Sequence, residues 1–247
     1  MEMEPIRIDA SRINLVLSFM GLAFKDYIGA RTLLNQRIGA GGHLGLTGAV
    51  LGSSAVEKYF KACIAVWDTP RRWHLNNDLI EAVKTRNPSM CEKLSPSFIE
   101  FLARCYRLRY VDAIEPGFTL HVQNREVLAE LDFTVAEIER RFTIGWAGKP
   151  IQRSYDAYRE NHDPLLWTNN WVLEDRDKKA FVEQRDSAYA MRIDEDMGIL
   201  ECFYDADDVR AEGEFLKPGF VPVDAPQPGQ RSFKLAKLPV GQEPASA

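Results

Sequence analysis

Apolar residues recur at three- and four-residue spacing through the first ~145 residues, a pattern that predicts a series of amphipathic helices. The first helix is predicted to begin at Ile13 and to end near the glycine-rich stretch at Gly39. The second carries Glu57, Lys58 and Lys61 on or beside its polar face, where Glu57 and Lys61 are spaced to form an ion pair. Its apolar stripe contains Val50, Ser53, Val56, Phe60, Cys63 and Trp67.

Three more helices follow with short connections. Leu79, Ile80 and Val83 mark a short third helix, which is predicted to close at Asn87 and Pro88. The fourth helix is predicted to begin at Ser95, because proline is tolerated in the first turn that follows. The fifth is predicted to carry Val127, Leu128, Leu131, Val135, Ile138 and Phe142 and to stop around the glycines at 145 and 148.

This pattern predicts an all-α fold, an antiparallel up-and-down bundle of four to five helices, because consecutive helices with short loops pack antiparallel. The bundle is assigned to residues 1–148, a mixed and partly helical extension packing on it to 149–216, and an irregular or disordered tail to 217–247. Within the extension, residues 177–191 are read as one more helix. Tyr155, Trp167 and Trp171 are expected to pin the extension onto the bundle rather than to form a ligand cage.

Composition places the chain among folded cytoplasmic proteins. Its 247 residues are 45% hydrophobic and 27% charged, enough to bury a substantial core. The four cysteines lie far apart without a Cys-x-x-Cys pair, so a disulfide framework or thiolate zinc site is not indicated. The most apolar run, residues 13–24, is shorter than the roughly twenty residues of a membrane span. We therefore expect no membrane segment, no metal and no cofactor.

Charge is unevenly distributed along the chain. The net charge is -5, but residues 174–214 contain fourteen acidic and six basic residues, a balance of -8, which leaves +3 for the rest. A surface that binds nucleic acid through phosphates is therefore expected in the N-terminal part, although an ordinary solvated surface also explains +3. Asp194, Glu195 and Asp196 are read as an exposed turn in preference to a cation site or a nucleic-acid mimic.

Three segments of the predicted bundle together resemble the HEPN family, the nucleotide-binding helical domains of higher eukaryotes and prokaryotes. They are the second-helix sequence AVEKYFKA at 55–62, His74 with the Asp-Leu-Ile at 78–80, and the Tyr-Arg-Leu-Arg-Tyr-Val-Asp at 106–112. The similarity covers roughly residues 10 to 142. It implies an all-helical bundle that often dimerises and often works in bacterial toxin–antitoxin or phage-defence systems, and many members are ribonucleases.

The ribonucleases of this family carry an arginine followed, after four to six residues, by a histidine on the last bundle helix. There histidine moves a proton while arginine stabilises the charge that develops on the phosphate. Only Arg37 and His43 have this spacing, and they lie in the glycine-rich connection after the first helix. We therefore expect a non-catalytic module that forms a homodimer or binds a partner protein, and keep a ribonuclease with an altered site as the alternative.

The best candidates for binding an RNA or nucleotide ligand lie in the fourth helix. Arg104, Arg107 and Arg109 stand next to Tyr106 and Tyr110, and guanidinium groups bind phosphates while aromatic rings stack on bases. An alternative, which we favour, is that Tyr106 and Arg109 join helices through buried hydrogen bonds and an acidic partner.

Four more residues complete the candidate set: Glu57, Lys58, Lys61 and His74. Glu57 is the acidic partner expected for Tyr106 and Arg109. Lys58 and Lys61 would extend a basic face, or are merely solvated, and His74 is read as a helix cap or packing residue in preference to an acid or base.

The glycine-rich stretch at 39–45 matches neither the dinucleotide fingerprint, which follows a strand, nor the Walker loop, which needs Lys-Ser or Lys-Thr. A turn there, or a close helix crossing at Gly48 and Gly52, explains the glycines.

Overall fold

The computed structural model describes residues 8, 10–36, 44–70, 74–110, 114–146, 149–184, 186–195, 198–206, 220–223 and 232–235, which are mostly helical. The helices of the first part are α1 (Ile13–Leu34), α2 (Leu44–Ala65), α3 (Asn77–Arg86), α4 (Pro88–Cys91), α5 (Pro96–Arg107) and α6 (Asn124–Glu139). Those of the extension are α7 (Ser154–Glu160), α8 (Pro164–Trp167) and α9 (Lys178–Val182).

Several predicted helix ends are confirmed. Ser95 caps α5 by accepting a hydrogen bond from the backbone N–H of Phe98 at 3.3 Å, with proline as the first helical residue. Asn87 ends α3 and Pro88 opens the next short helix, α4. The second and fifth predicted helices correspond to α2 and α6 and are shorter than predicted, because α2 ends at Ala65 and α6 ends at Glu139. Trp67 consequently lies beyond α2 and is 41% exposed, not buried in its stripe.

Helices α1 and α2 pack closely against each other, and a glycine makes this possible. A Cβ atom at Gly48 would lie 2.8 Å from Leu34 Cγ and 3.2 Å from the backbone oxygen of Ala30. A Cβ atom here would force Leu34 to shift and would press against the backbone of α1, so the close crossing predicted at Gly48 is confirmed. At Gly52 the same atom would make ordinary contact with Leu131, 3.4 Å away.

The all-α assignment is wrong in one respect, because three strands form an antiparallel sheet in the order β1–β4–β5. They are β1 (Thr119–Gln123), β4 (Asp186–Asp194) and β5 (Gly198–Ala206). Leu120 pairs with Met191 across the sheet, and both side chains are buried. A two-stranded ladder also joins β2 (Gly145–Trp146) and β3 (Lys149–Pro150). A strand therefore precedes α6, where the resemblance implied helices alone.

The single helix expected over residues 177–191 is also wrong. Only Lys178–Val182 is helical, and the chain then enters β4. Residues 188–191 are all buried and contain no turn residue, so their pattern fits a buried strand as well as a helix. The strand forms because β1 and β5 supply backbone partners on both sides.

In the predicted irregular tail, two short strands pair antiparallel: β6 (Phe220–Val223) and β7 (Ser232–Leu235). The rest of 217–247 lies outside the described residues.

Among the described residues, one helix is long and apolar enough to span a membrane by length and composition, namely α1. Core helices of soluble proteins pass the same test. Nine residues of α1 are buried, and one of them, Arg31, is a charged residue paired inside the protein. This packing is compatible with a soluble protein.

Candidate functional site

Six of the nine candidate residues meet around Tyr106, in the last turn of α5. The Tyr106 hydroxyl lies 2.6 Å from Nδ1 of His74 and 3.2 Å from the hydroxyl of Tyr110. The rings of Tyr106 and His74 are stacked, with centroids 4.7 Å apart and an interplanar angle of 27°. His74 comes from the segment just before α3, so residues distant in sequence share one hydrogen-bonded group.

Helix α2 contributes a carboxylate to this group. Glu57 Oε2 lies 3.8 Å from His74 Nδ1, while Oε1 accepts a hydrogen bond from Lys61 Nζ at 2.7 Å. The predicted pair between Glu57 and Lys61 is therefore confirmed. The Arg109 guanidinium lies over the Tyr106 ring at 5.2 Å from its centroid. We call these six residues the Tyr106 face: Glu57, Lys61, His74, Tyr106, Arg109 and Tyr110.

The Tyr106 face is partly open to solvent. Tyr106 itself is 8% exposed, whereas the side chain of His74 is 55% exposed and Tyr110 is 48% exposed. Burial raises the pKa of Tyr106 well above its ordinary value, and the hydrogen bond with Tyr110 and the charge of Glu57 act in the same direction. The phenol is therefore protonated at neutral pH. When it donates to Nδ1, a neutral His74 carries its own proton on Nε2.

The other three candidates do not join the Tyr106 face. Lys58 pairs with Asp26 of α1 and donates to Ser54 Oγ at 2.7 Å. Arg104 and Arg107 turn away from Tyr106 toward the ring of Phe118. The single ligand surface expected from sequence is therefore divided between two sides of α5.

Sequence reasoning missed a buried network at the end of α6. Tyr59 donates to Glu139 Oε1 at 2.7 Å, and Arg153 donates to Oε2 of the same carboxylate at 2.6 Å. Arg153 also binds both oxygens of Asp156. Burial raises the pKa of Glu139 to about 7, although Arg153 and the Tyr59 hydrogen bond oppose this. The network joins the start of α7 to the end of α6.

A second buried network was also missed. Arg31 and Asp132 form an ion pair in which both side chains are inaccessible to solvent, and Tyr27 donates to the same Asp132 oxygen at 2.8 Å. Arg31 further donates to the backbone oxygens of Leu165 at 3.1 Å and Thr168 at 2.6 Å. Burial raises the pKa of Asp132 despite its charged partner. The only signal in the sequence was the position of these charges on apolar stripes.

The aromatic residues of the extension behave in two ways. Tyr155 packs edge-on against Phe24 of α1, and Trp171 donates to the backbone oxygen of Ala129 at 2.9 Å. Both contacts join the extension to helices of the first part, α1 and α6, as expected. Trp167 stacks on His162 within the extension, with ring centroids 4.3 Å apart, and is also partly buried against the hydrophobic core.

No group of three His, Cys, Asp or Glu side chains able to hold a metal ion occurs in the described part of the chain. Asp196, the pair Arg37 and His43, and the glycines at 39–42 lie outside the described residues. The side chain of Asp194 is likewise not described, and Glu195 is exposed.

Comparison with known proteins gives no relative: no family model, no curated protein and no solved structure matches this chain.

Proposed function

We propose that the Tyr106 face binds RNA or a nucleotide, and that the chain is a HEPN-like interaction module of a bacterial toxin–antitoxin or defence system. The observation that carries the proposal is the meeting of His74, Tyr106 and Glu57 from three separate segments, all of which belong to the motifs that resemble that family. In this proposal the motifs contribute to one surface and bind one ligand.

The chemistry of the Tyr106 face suits a nucleotide. Arg109 is exposed and offers a planar fork of donors to a phosphate. The exposed Tyr110 ring is available for stacking on a base. Lys61 is occupied by Glu57, so a phosphate would bind it only by competing with that carboxylate. Arg109 is therefore assigned the main phosphate contact and Tyr110 the base contact.

The antiparallel up-and-down arrangement of the helices, and a homodimer or partner-protein complex, belong to the same proposal. Support for the arrangement comes from the close packing of successive helices α1 and α2 and from the short connection between α4 and α5. Strand β1 between α5 and α6 departs from the helical pattern that the resemblance implies. Support for the function therefore rests on the Tyr106 face more than on the family.

Binding of a fluorescein-labelled single-stranded RNA to the full chain, followed by anisotropy, tests the proposal. Arg109→Ala is expected to weaken binding about tenfold and Tyr110→Ala by about five- to a hundredfold, the loss of one charged hydrogen bond and one stacking contact. Lys179→Ala in α9 is the matched control, because its side chain is 62% exposed and pairs only loosely with Glu183. Circular dichroism establishes that each variant is folded.

Two results would overturn the proposal. One is the absence of RNA and nucleotide binding at low ionic strength, which leaves only a protein partner. The other is binding that Arg109→Ala, Tyr110→Ala and Lys179→Ala all leave unchanged, because the ligand would then bind elsewhere.

A metal-independent ribonuclease with an altered site is the second candidate, and His74 favours it. The histidine is half exposed, and Tyr106 holds it at Nδ1, which orients Nε2 for proton transfer. Arg109 would supply the charge that stabilises the phosphate during attack by the 2'-hydroxyl. The arginine and histidine would then come from different segments and not from the single helix that carries both in the ribonucleases of this family.

Cleavage of labelled RNA in the presence of EDTA tests this second candidate. His74→Ala and Arg109→Ala should both abolish cleavage while the helical circular-dichroism signal persists. An oligonucleotide with a 2'-deoxyribose at the cleaved position is the substrate control, since it lacks the attacking hydroxyl. Cleavage that survives His74→Ala would refute the assignment.

A further inference from the structure

A second group of cationic residues lies beside the Tyr106 face on the other side of α5. The guanidinium of Arg104 lies 5.1 Å from the centroid of the Phe118 ring, and that of Arg107 lies 5.7 Å from it. Arg104 also donates to the backbone oxygen of Thr119, whose partner across the sheet is Arg192 of β4. Arg104 and Arg107 therefore both lie beside the segment of Phe118 and Thr119, and Arg192 is on the strand that pairs with it. We call these three residues the arginine group.

The arginine group suits an anion. Arg104 is half-buried and donates through Nη2 to the backbone oxygen of Thr119. Arg107 is exposed, with its guanidinium close to an aromatic ring. A guanidinium that lies on an aromatic ring keeps donors in its plane, which is the geometry that phosphate binding requires.

Helix geometry relates the two groups. With 3.6 residues per turn, Arg107 lies about 100° around α5 from Tyr106 and about 60° from Arg104. Arg107 therefore stands between the Tyr106 face and Arg104. A helix with its side chains is about 10–12 Å wide, so a single phosphate does not reach both sides of α5.

A polynucleotide does reach both sides. A strand carries one phosphate for about every 3.4 Å along a duplex axis, and a single strand can be more extended, so about three nucleotides are enough to cover one helix width. We propose that the ligand of the Tyr106 face is a single-stranded polynucleotide of at least about three nucleotides, whose backbone continues over Arg107 to the arginine group. This inference rests on the proposed function and names its ligand as a chain instead of a mononucleotide.

Arg107→Ala tests the inference on the full chain with two probes, a labelled oligouridylate of about eight nucleotides and UMP. The variant is expected to bind the oligonucleotide about tenfold more weakly, the loss of one charged contact. The slope of log affinity against log salt should fall by about 0.7, the value for one phosphate of a single strand. Binding of UMP, measured by calorimetry, should not change.

Two further variants complete the experiment. Arg107→Lys keeps the charge, so most of the salt dependence should return, whereas a purely packing role of Arg107 would leave the slope low. Lys179→Ala, away from α5 in sequence and element, should match the wild type with both probes.

The outcomes separate this inference from the proposed function. If the oligonucleotide binds and Arg109→Ala weakens it, but Arg107→Ala changes neither affinity nor salt slope, the proposed function stands and the continuous track is refuted. UMP binding as tight as that of the oligonucleotide refutes the track as well. If neither probe binds, both the function and the inference fail.

Discussion

The buried carboxylate of Glu139 makes the stability of this protein depend on pH in a way that one substitution isolates. Its pKa is about 7 in the folded chain and 4.5 in an unfolded one. Since folding raises the pKa, the folded state binds the proton more tightly. The resulting stabilisation is complete below about pH 4.5 and is lost as the pH rises through about 7.

The magnitude follows from the two pKa values. Their difference corresponds to about 3 kcal/mol in the free energy of unfolding. Most of this, about 2 to 3 kcal/mol, is lost between about pH 5 and about pH 8. Protonated Glu139 is tolerated because Asp156 continues to pair with Arg153. Two other buried groups also make stability depend on pH. The raised pKa of Asp132 lowers stability as the pH rises, as Glu139 does. Burial lowers the pKa of His121 to about 4, which has the opposite effect.

Glu139→Gln removes one titration and leaves the others in place. We expect the wild type to lose about 2 to 3 kcal/mol relative to this variant between about pH 5 and about pH 8, measured by urea denaturation followed by circular dichroism. The glutamine also weakens the contact with Arg153, but that cost is the same at both pH values. Glu81→Gln, at a side chain 67% exposed, is the control and should show no such difference. A Glu139→Gln effect of equal size at both pH values would refute the reasoning.

Three further predictions are measured by the same urea denaturation. Gly21→Ala should stabilise the chain by about 0.5 to 1 kcal/mol, because the new Cβ atom in α1 would have no other atom within 4 Å. Gly48→Ala should destabilise it by about 1 to 3 kcal/mol, because it forces α1 and α2 apart. Equal effects of the two substitutions would contradict the close crossing. Asp132→Ala should cost about 3 to 5 kcal/mol because it leaves Arg31 charged and buried without its partner, and a cost below about 1 kcal/mol would count against the pair. Tyr106→Phe should cost only about 1 kcal/mol, the net value of the hydrogen bond to His74, and a larger loss would mean that the hydroxyl supports the fold as well as the face.

The sequence predicted what depends on neighbouring residues. The cap at Ser95, the end of α3 at Asn87 and the pair of Glu57 with Lys61 each involve residues within one turn of a helix. Local spacing determines such features, so periodicity and capping preferences are enough to find them.

The sequence did not predict what depends on distant partners. Residues 188–191 fit a helix or a strand. They form a strand because they pair with β1, which lies far earlier in the chain. Arg31 and Asp132 are 101 residues apart, and each alone resembles a polar residue at the margin of an apolar stripe. The candidate set was divided for the same reason, because only the contact of Arg104 with Thr119 of β1, 15 residues later in the chain, shows that this arginine turns away from Tyr106.

The buried polar networks and the Tyr106 face also differ in how substitution of their residues affects the protein. The networks of Glu139 and Asp132 are buried from solvent and join the extension to α1 and α6, so their substitution perturbs folding before any function. The Tyr106 face combines a buried hydroxyl with exposed rings and an exposed arginine, and its residues stand at the end of α5, on α2 and before α3. Exposed side chains such as Arg109 and Tyr110 contribute little to stability. Loss of binding in their alanine variants can therefore be attributed to the ligand contact, which makes this face the part of the molecule where function is most directly tested.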